Sequence, residues 1–225
     1  AGQDTVQIPG ALNIAGTLAA NALNATTQYN LGGARVLFTD GTTNENTFVG
    51  LSAGQNNTGP RNSFFGRQAG QNNSGESNAF FGVRAGSSNT TGGLNAFFGE
   101  AAGQNNTIGF ANAFLGAEAG TSNTTGYYNT FVGIQAGQKN ISGDSNTLVG
   151  GFAGLNNISG SNNAFFGLSS GLANTTGDNN VFVGANAGRF NNVGKRNLFN
   201  GANAGLFNTS GDDNTFVGTE AGQTN

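Results

Sequence analysis

The chain has 225 residues, enough for one or two domains, but only 8 % of them are charged, against roughly 25 % in an average soluble domain. The net charge is −3 and no basic cluster stands out, which argues against nucleic acid as a partner. His and Cys are both absent, which removes most zinc sites and nucleophilic triads. We therefore expect no enzyme, no cofactor and no metal site.

Residues 1–45 do not repeat and are interpreted as a separate N-terminal strand segment that joins or caps the rest of the chain. Residues 5–8 and Ala34–Thr39 alternate in polarity and are predicted strands, and residues 40–44 are a predicted turn or loop. The apolar run 11–23 is too short to span a membrane and lacks a basic flank. Because the first residue is not Met, we expect the chain to be processed or a fragment.

Residues 46–225 are predicted to be a repeat array. Each unit reads Asn, a small residue, two large apolar residues, Gly, two variable residues, Ala-Gly, and then a second Asn. The first two steps are 16 residues and the others are 17, which is typical of a solenoid whose coils bury their apolar sides against one another. The leading Asn row consists of Asn46, Asn62, Asn78, Asn95, Asn112, Asn129, Asn146, Asn163, Asn180, Asn197 and Asn214.

Each unit is predicted to contain two short strands and two corners, as in residues 95–99 and 102–106. Apolar runs are too short for helices, and Gly every few residues would break them. The predicted fold is an all-β β-solenoid or β-roll of eleven 16–17-residue coils, on the order of 50 Å long at the usual strand spacing. A Gly opens each return corner, where we expect a backbone conformation closed to residues with a side chain. These glycines are Gly109, Gly126, Gly143, Gly160, Gly177, Gly194 and Gly211.

The second Asn of each unit is predicted to form a structural ladder, because a stacked amide can bond the coil above and the coil below. The alternative is N-glycosylation, since several units contain a sequon such as Asn89-Thr90-Thr91. The sequon shifts between two adjacent Asn positions, which favours the structural interpretation. The predicted ladder comprises Asn57, Asn73, Asn89, Asn106, Asn123, Asn140, Asn157, Asn174, Asn191 and Asn208.

The two large apolar residues of each unit define an inner row and an outer row. The inner row is Phe in every unit except at Leu148, and it is predicted to fill the interior against the Ala of Ala-Gly. Adjacent strand residues point to opposite faces, so the next residue, the outer row, should point outward. A continuous apolar stripe of this length favours lateral contact with another copy of the chain. The predicted oligomer interface is Val49, Phe65, Phe81, Phe98, Leu115, Val132, Val149, Phe166, Val183 and Val217.

Two features of the outer row stay open. Asn200 interrupts the apolar stripe, and nothing in the sequence explains it. The alternative to self-association is that residues 1–45 cover the stripe, but that segment is too short to cover eleven coils.

Units such as Asn46-Thr47-Phe48-Val49-Gly50, completed by Ala53-Gly54 and Asn57, resemble the repeats of bacterial surface and tail-fibre-like proteins. Residues 27–37 resemble the segment that precedes such arrays. The arrangement is more distantly similar to the β-roll heads of trimeric autotransporter adhesins. The resemblance implies a trimeric fibre outside the cell, at the cell surface or on a phage tail.

The leading functional hypothesis is a structural, self-assembling fibre or filament subunit, a shaft or stalk with a possible adhesive role and an unidentified receptor or glycan. The array stops at its last Asn without a capping segment, which suits end-to-end stacking on the next copy's N-terminal strands. The alternative hypothesis is an ice-binding solenoid with a hydroxyl row that Ile108 and Val193 interrupt. That row comprises Thr91, Thr125, Ser142, Ser159, Thr176 and Ser210.

Overall fold

The computed structural model describes residues 28–31, 34–39 and 44–224. Their thirteen strands form one sheet in which each strand pairs with the next along the chain. The strands are β1 Gln28–Leu31, β2 Ala34–Thr39, β3 Thr47–Val49, β4 Ser63–Phe65, β5 Ala79–Phe81, β6 Ala96–Phe98, β7 Ala113–Leu115, β8 Thr130–Val132, β9 Thr147–Val149, β10 Ala164–Phe166, β11 Val181–Val183, β12 Leu198–Asn200 and β13 Thr215–Val217.

Strands β3 to β13 are parallel, and each is in register with its neighbours, so that Phe97 pairs with Phe114 and Phe98 with Leu115. The parallel β-solenoid predicted from the repeat is thus confirmed, with eleven strands separated by ten coil-to-coil steps of 16 or 17 residues. The described residues contain no helix, and therefore none that could cross a membrane.

The N-terminal strands extend the sheet at one end of the solenoid. Strand β2 lies at the residues where a strand was predicted, and it pairs antiparallel with β3. Strand β1 pairs antiparallel with β2, which completes a hairpin at the β3 edge. The predicted strand at residues 5–8 and most of the predicted loop at 40–44 lie outside the described residues.

The expectation of two strands per coil is wrong, since each described coil has a single three-residue strand. The side that carries Ala-Gly is a run of turns. In the first coil, Ser52 and Gly54 have φ values of 59° and 54°, a left-handed conformation that cannot continue a strand. These turns still stack, because the Gly54 N–H donates to the Ala69 carbonyl of the next coil over 2.9 Å.

The inner row forms the core, as predicted. Its phenylalanines stack face to face along the rod with centroid separations of 4.7–5.1 Å, and Leu148 divides them into two stacks. The Ala of Ala-Gly is buried in the same cluster. The ring packs directly against the Gly that follows this Ala, and a Cβ on Gly103 would come within 2.4 Å of the Phe97 ring. The interior therefore admits a ring only because its neighbour has no side chain.

The expectation that Gly at the return corners provides a backbone conformation closed to other residues is also wrong. Gly109 and its equivalents do not have left-handed φ values. These positions have no room for a side chain, because a Cβ on Gly126 would lie 2.4 Å from Asn123 Oδ1 and 2.5 Å from the Gly143 carbonyl oxygen. Close packing of successive corners fixes Gly at this position.

Candidate interaction surface

All ten residues of the predicted interface lie on the outside of the sheet. In each strand the inner-row residue is the most buried of the three, and the residue after it is half-buried or exposed. The exposed fraction is 36 % at Phe65 and 66 % at Val217. The residues placed there are Val49, Phe65, Phe81, Phe98, Leu115, Val132, Val149, Phe166, Val183 and Val217.

A second row shares this face, and sequence reasoning missed it. The first residue of each strand is two positions before the outer row, so it points to the same side of the sheet. Most of its side chains are small and give no apolar signal of their own, although the alternation of side chains along a strand predicts their direction. This strand-start row consists of Thr47, Ser63, Ala79, Ala96, Ala113, Thr130, Thr147, Ala164, Val181, Leu198 and Thr215.

The outer row and the strand-start row together form what we call the outer face. None of its members is charged. Its polar side chains are the hydroxyls of Ser and Thr and the amide of Asn200. A shallow groove of about 370 Å³ crosses the middle of this face. It is lined by Ala96, Phe98, Ala113, Phe114, Leu115 and Val132.

The outer face has relief as well as apolar character. Phe65, Phe81 and Phe98 stack in a ridge, with ring centroids 4.6 and 4.7 Å apart. The ridge falls away at Leu115 and rises again at Phe166. Such offset stacking is a favourable contact between rings, so neighbouring rings of the ridge stabilise one another's orientation.

The second Asn row lies inside the solenoid and forms a hydrogen-bonded ladder. From Asn73 onward, each Nδ2 group donates to the Oδ1 atom of the equivalent Asn one coil earlier, at 2.7 Å for Asn123 to Asn106. The same Nδ2 group donates to the return-corner carbonyl, at 3.0 Å for Asn123 to Gly126. The ladder runs through Asn57, Asn73, Asn89, Asn106, Asn123, Asn140, Asn157, Asn174, Asn191 and Asn208.

The leading Asn row makes a parallel ladder of a different kind. The Oδ1 atom of each accepts the backbone N–H of the leading Asn in the next coil, as from Asn112 to Asn95 over 3.0 Å. Its Nδ2 group donates to a return-corner carbonyl, at 2.9 Å from Asn95 to Gly109. The amides of both rows are thereby used within the chain. Asn89, the first residue of a sequon, is fully buried and its Nδ2 group donates to Asn73 and Gly92, so it is not accessible for glycosylation.

Within residues 44–224, the charged side chains lie away from the outer face, and just over half of them are at the return corners. The Arg196 guanidinium donates to Asp213 and holds the pKa of that carboxyl below its usual value. The negative charge of Asp144 raises the pKa of the Tyr127 hydroxyl. The ion pairs of the described residues join adjacent coils and are solvent-exposed, so each contributes little to stability.

The hydroxyl row of the ice-binding hypothesis lies exposed at the return corner. Three of the residues one position earlier, Thr90, Thr124 and Thr175, use their hydroxyls within the chain, as where Thr124 Oγ1 donates to the Ile141 carbonyl over 3.0 Å. Ile108 and Val193 break the row and are themselves exposed.

In comparisons with protein-family models, curated protein sequences and solved structures, nothing matches the chain. Its function is therefore inferred from the outer face and from the rod that presents it.

Proposed function

We propose that the chain is a structural subunit of a self-assembling extracellular fibre or filament, which associates laterally through its outer face. The role would be that of a shaft or stalk in a surface or tail-fibre-like appendage, with three copies in the assembly as the resemblance of the repeats implies. The observation that carries this proposal is an uncharged, predominantly apolar face that runs along a regular rod and is interrupted at Asn200.

The size of the outer face is sufficient for a small specific contact. Ten steps of about 4.8 Å give a face about 48 Å long, and a strand of three residues gives a width of about 10 Å. Two copies would together bury on the order of 1,000 Å², which reaches the lower limit for a specific protein interface. The face of one copy, about 480 Å² by these dimensions, is as large as the largest apolar patch of a typical soluble monomer, and patches of that size often mark interaction sites.

The interior of the rod supports a structural role. Most of its buried polar groups are Asn amides committed to ladders between coils, and its largest buried apolar groups are Phe rings stacked in register. Each coil thus bonds its neighbours in the same way. A stack of this kind resists bending and local opening, which is the mechanical property that a shaft needs.

The proposal is tested by substituting outer-row residues with Asn, which the chain itself carries at Asn200. We expect the wild type to be larger than its 22.6 kDa monomer in light scattering, and the double variant Phe98→Asn/Phe166→Asn to shift to the monomer. The reason is that two polar amides on the face would lose their hydration on association without gaining partners.

The matched control is Ile108→Asn, which changes an exposed apolar residue of the return corner and leaves the outer face intact. It should keep the wild-type mass. Circular dichroism shows whether each variant has folded. A wild-type protein that stays monomeric at high concentration would overturn the proposal.

The exposure of the Ser/Thr row favours one alternative, an ice-binding solenoid. A thermal-hysteresis assay on the wild type distinguishes the two roles, since a structural shaft has no reason to depress freezing. Clear activity that is lost in Thr125→Val, and kept in Phe98→Asn/Phe166→Asn, would favour ice binding.

A further inference from the structure

Bulk is compensated within each coil of the outer face. Where the outer row has Phe, the strand-start residue is Ala or Ser; where it has Val, the strand-start residue is Thr or Val. The only Asn is paired with Leu, the largest residue of the strand-start row. In chain order the pairs are Thr47 with Val49, Ser63 with Phe65, Ala79 with Phe81, Ala96 with Phe98, Ala113 with Leu115, Thr130 with Val132, Thr147 with Val149, Ala164 with Phe166, Val181 with Val183, Leu198 with Asn200, and Thr215 with Val217.

A solvated surface gives no reason for such compensation. Water fills any depression beside a small side chain, so the bulk of one row need not depend on the other. A dry contact between two faces is different, because a void that excludes water forfeits dispersion contacts on both sides. The pairing of large with small therefore indicates that each outer-row residue faces a strand-start residue of the same coil number across a packed interface.

We infer that neighbouring copies lie side by side in the same direction and with their coils level, the outer row of one packed on the strand-start row of the next. This inference rests on the proposed function and specifies its partner, a second copy of this chain. Rotation about an axis parallel to the rod, whether two-fold or three-fold, keeps the coils level and brings these two rows together.

The opposite arrangement, with the rods antiparallel, fits the face less well. Rotation about an axis along the strands would place strand-start row on strand-start row and outer row on outer row. If the axis passed through the groove, Ala96 would face Ala113 and leave a gap. Phe98 would then face Leu115, so that two large side chains would stand beside that gap.

The level arrangement also accounts for two further observations. Asn200 would face Leu198 of the next copy, so the interruption of the apolar stripe preserves the local thickness of the contact. The residues that border the face in the fifth to ninth coils carry no charge, as expected near the centre of an interface. On one side they are Ala111, Tyr128, Ser145, Asn162 and Asn179, and on the other Ala117, Ile134, Gly151, Leu168 and Ala185.

Cross-linking tests the register directly, because the chain has no native Cys. The variants Thr130→Cys and Val132→Cys, with tags of different mass, are co-expressed and treated with a bifunctional thiol reagent that spans about 10 Å, the usual distance between packed sheets. We expect the mixed pair to cross-link at least fivefold more than the control pair Thr130→Cys with Val183→Cys. In the control the second cysteine is displaced by three coils, or about 14 Å.

Light scattering is run on the same samples, so that the two possible failures are distinguishable. An oligomer in which the level pair cross-links no better than the displaced pair would overturn the inference and leave the proposed function standing. A monomer would overturn both.

A residue swap gives an independent test. Phe166 is suitable because its ring takes no part in the outer stack of Phe65, Phe81 and Phe98. Ala164→Phe alone and Phe166→Ala alone should each weaken association at least tenfold, through a clash and a void respectively. The double variant Ala164→Phe/Phe166→Ala restores the complement when both copies carry it, so its association should return to within threefold of the wild type. No recovery in the double variant, with the fold intact by circular dichroism, would contradict the level register.

Discussion

At the scale of single residues, this fold depends on Asn as a side chain that both donates and accepts over a short reach. Each second Asn uses both hydrogens of its Nδ2 group, and its Oδ1 atom serves the next coil. Asp offers no donor, and Gln is one methylene longer. The sequence repeats Asn at both positions because amides of both rows donate to the carbonyls of the return corner.

We expect Asn123→Asp to destabilise the protein by about 3 kcal/mol, because the change removes two donors and places a carboxylate beside the oxygens of Asn106 and Gly126. Thermal or urea unfolding of the variant and the wild type under the same conditions measures the difference in unfolding free energy. The control is Asn105→Asp, the same change at the exposed neighbour, which should lie within about 0.5 kcal/mol of the wild type. Equal effects at the two positions would show that the ladder contributes nothing to stability.

Strain at single residues shows how strongly the stack determines each coil. The residue before each leading Asn is left-handed whatever its type, with φ of 58° at Leu94 and 56° at Tyr128. A side chain other than Gly, Asn or Asp costs about 1–2 kcal/mol in this conformation. The conformation persists because coils above and below hold the backbone in place, for example where the Leu94 N–H donates to the Glu76 carbonyl over 3.0 Å.

At the scale of the coil, each unit consists of a three-residue strand, the turn opposite it and the return corner. A Gly in each of the two turns makes a close contact that the coil requires. The strand supplies the ring, and the turn opposite supplies Ala and a left-handed Gly on which the ring lies. The return corner supplies a Gly whose carbonyl accepts from Asn amides of both rows, as at Gly109. Each element therefore constrains the residue type of another element in the same coil.

Gly126→Ala is expected to cost about 3 kcal/mol, because the new Cβ would lie 2.4 Å from Asn123 Oδ1 and 2.5 Å from the Gly143 backbone oxygen, neither of which can move freely. Gly151→Ala is the matched control, since its Cβ would only meet Ile134 and Leu168 methyl groups at 3.4 Å. Denaturant unfolding compares the two. If Gly126→Ala were as stable as Gly151→Ala, corner packing would not be the reason for Gly at that position.

At the scale of the whole molecule, the rod is quasi-one-dimensional. Each coil contacts the coils before and after it, so stability accumulates along the rod and its ends are the weakest points. The hairpin of β1 and β2 pairs with one end of the parallel array, at β3. Lateral association through the outer face would add a contact to every coil at once, which makes the assembly far more cooperative than the single rod.

Because the outer face is uncharged and the ion pairs lie elsewhere, association should be insensitive to salt. We expect the oligomer to persist when NaCl is raised from about 0.1 to 1 M, where the Debye length falls from about 10 to about 3 Å. Sodium sulfate should strengthen it, since excluded salts favour apolar burial. Sedimentation velocity measures the mass. Dissociation into monomers at 1 M NaCl would indicate that charge pairing, rather than the outer face, holds the copies together.

The amino-acid sequence by itself determined the solenoid, the position of each coil, the buried Phe row and the outward direction of the outer row. These depend on period alone: a fixed repeat places like residues over one another, and alternation within a strand separates the two faces. The strand at Ala34–Thr39 was also predictable from its alternating pattern.

Only the tertiary structure decided that the Ala-Gly side is a run of turns, that corner glycines are required for space, and that the strand-start row shares the outer face. Each depends on the distance between successive coils, which a one-dimensional pattern does not contain. A Gly in the sequence is compatible with a left-handed conformation, with a close approach or with both: Gly54 is left-handed and also lies against the Phe48 ring, whereas Gly126 has only the close approach. Only the fold shows which reason applies at each Gly, because stacking sets which atoms of the same coil and of the next coil lie nearest to it.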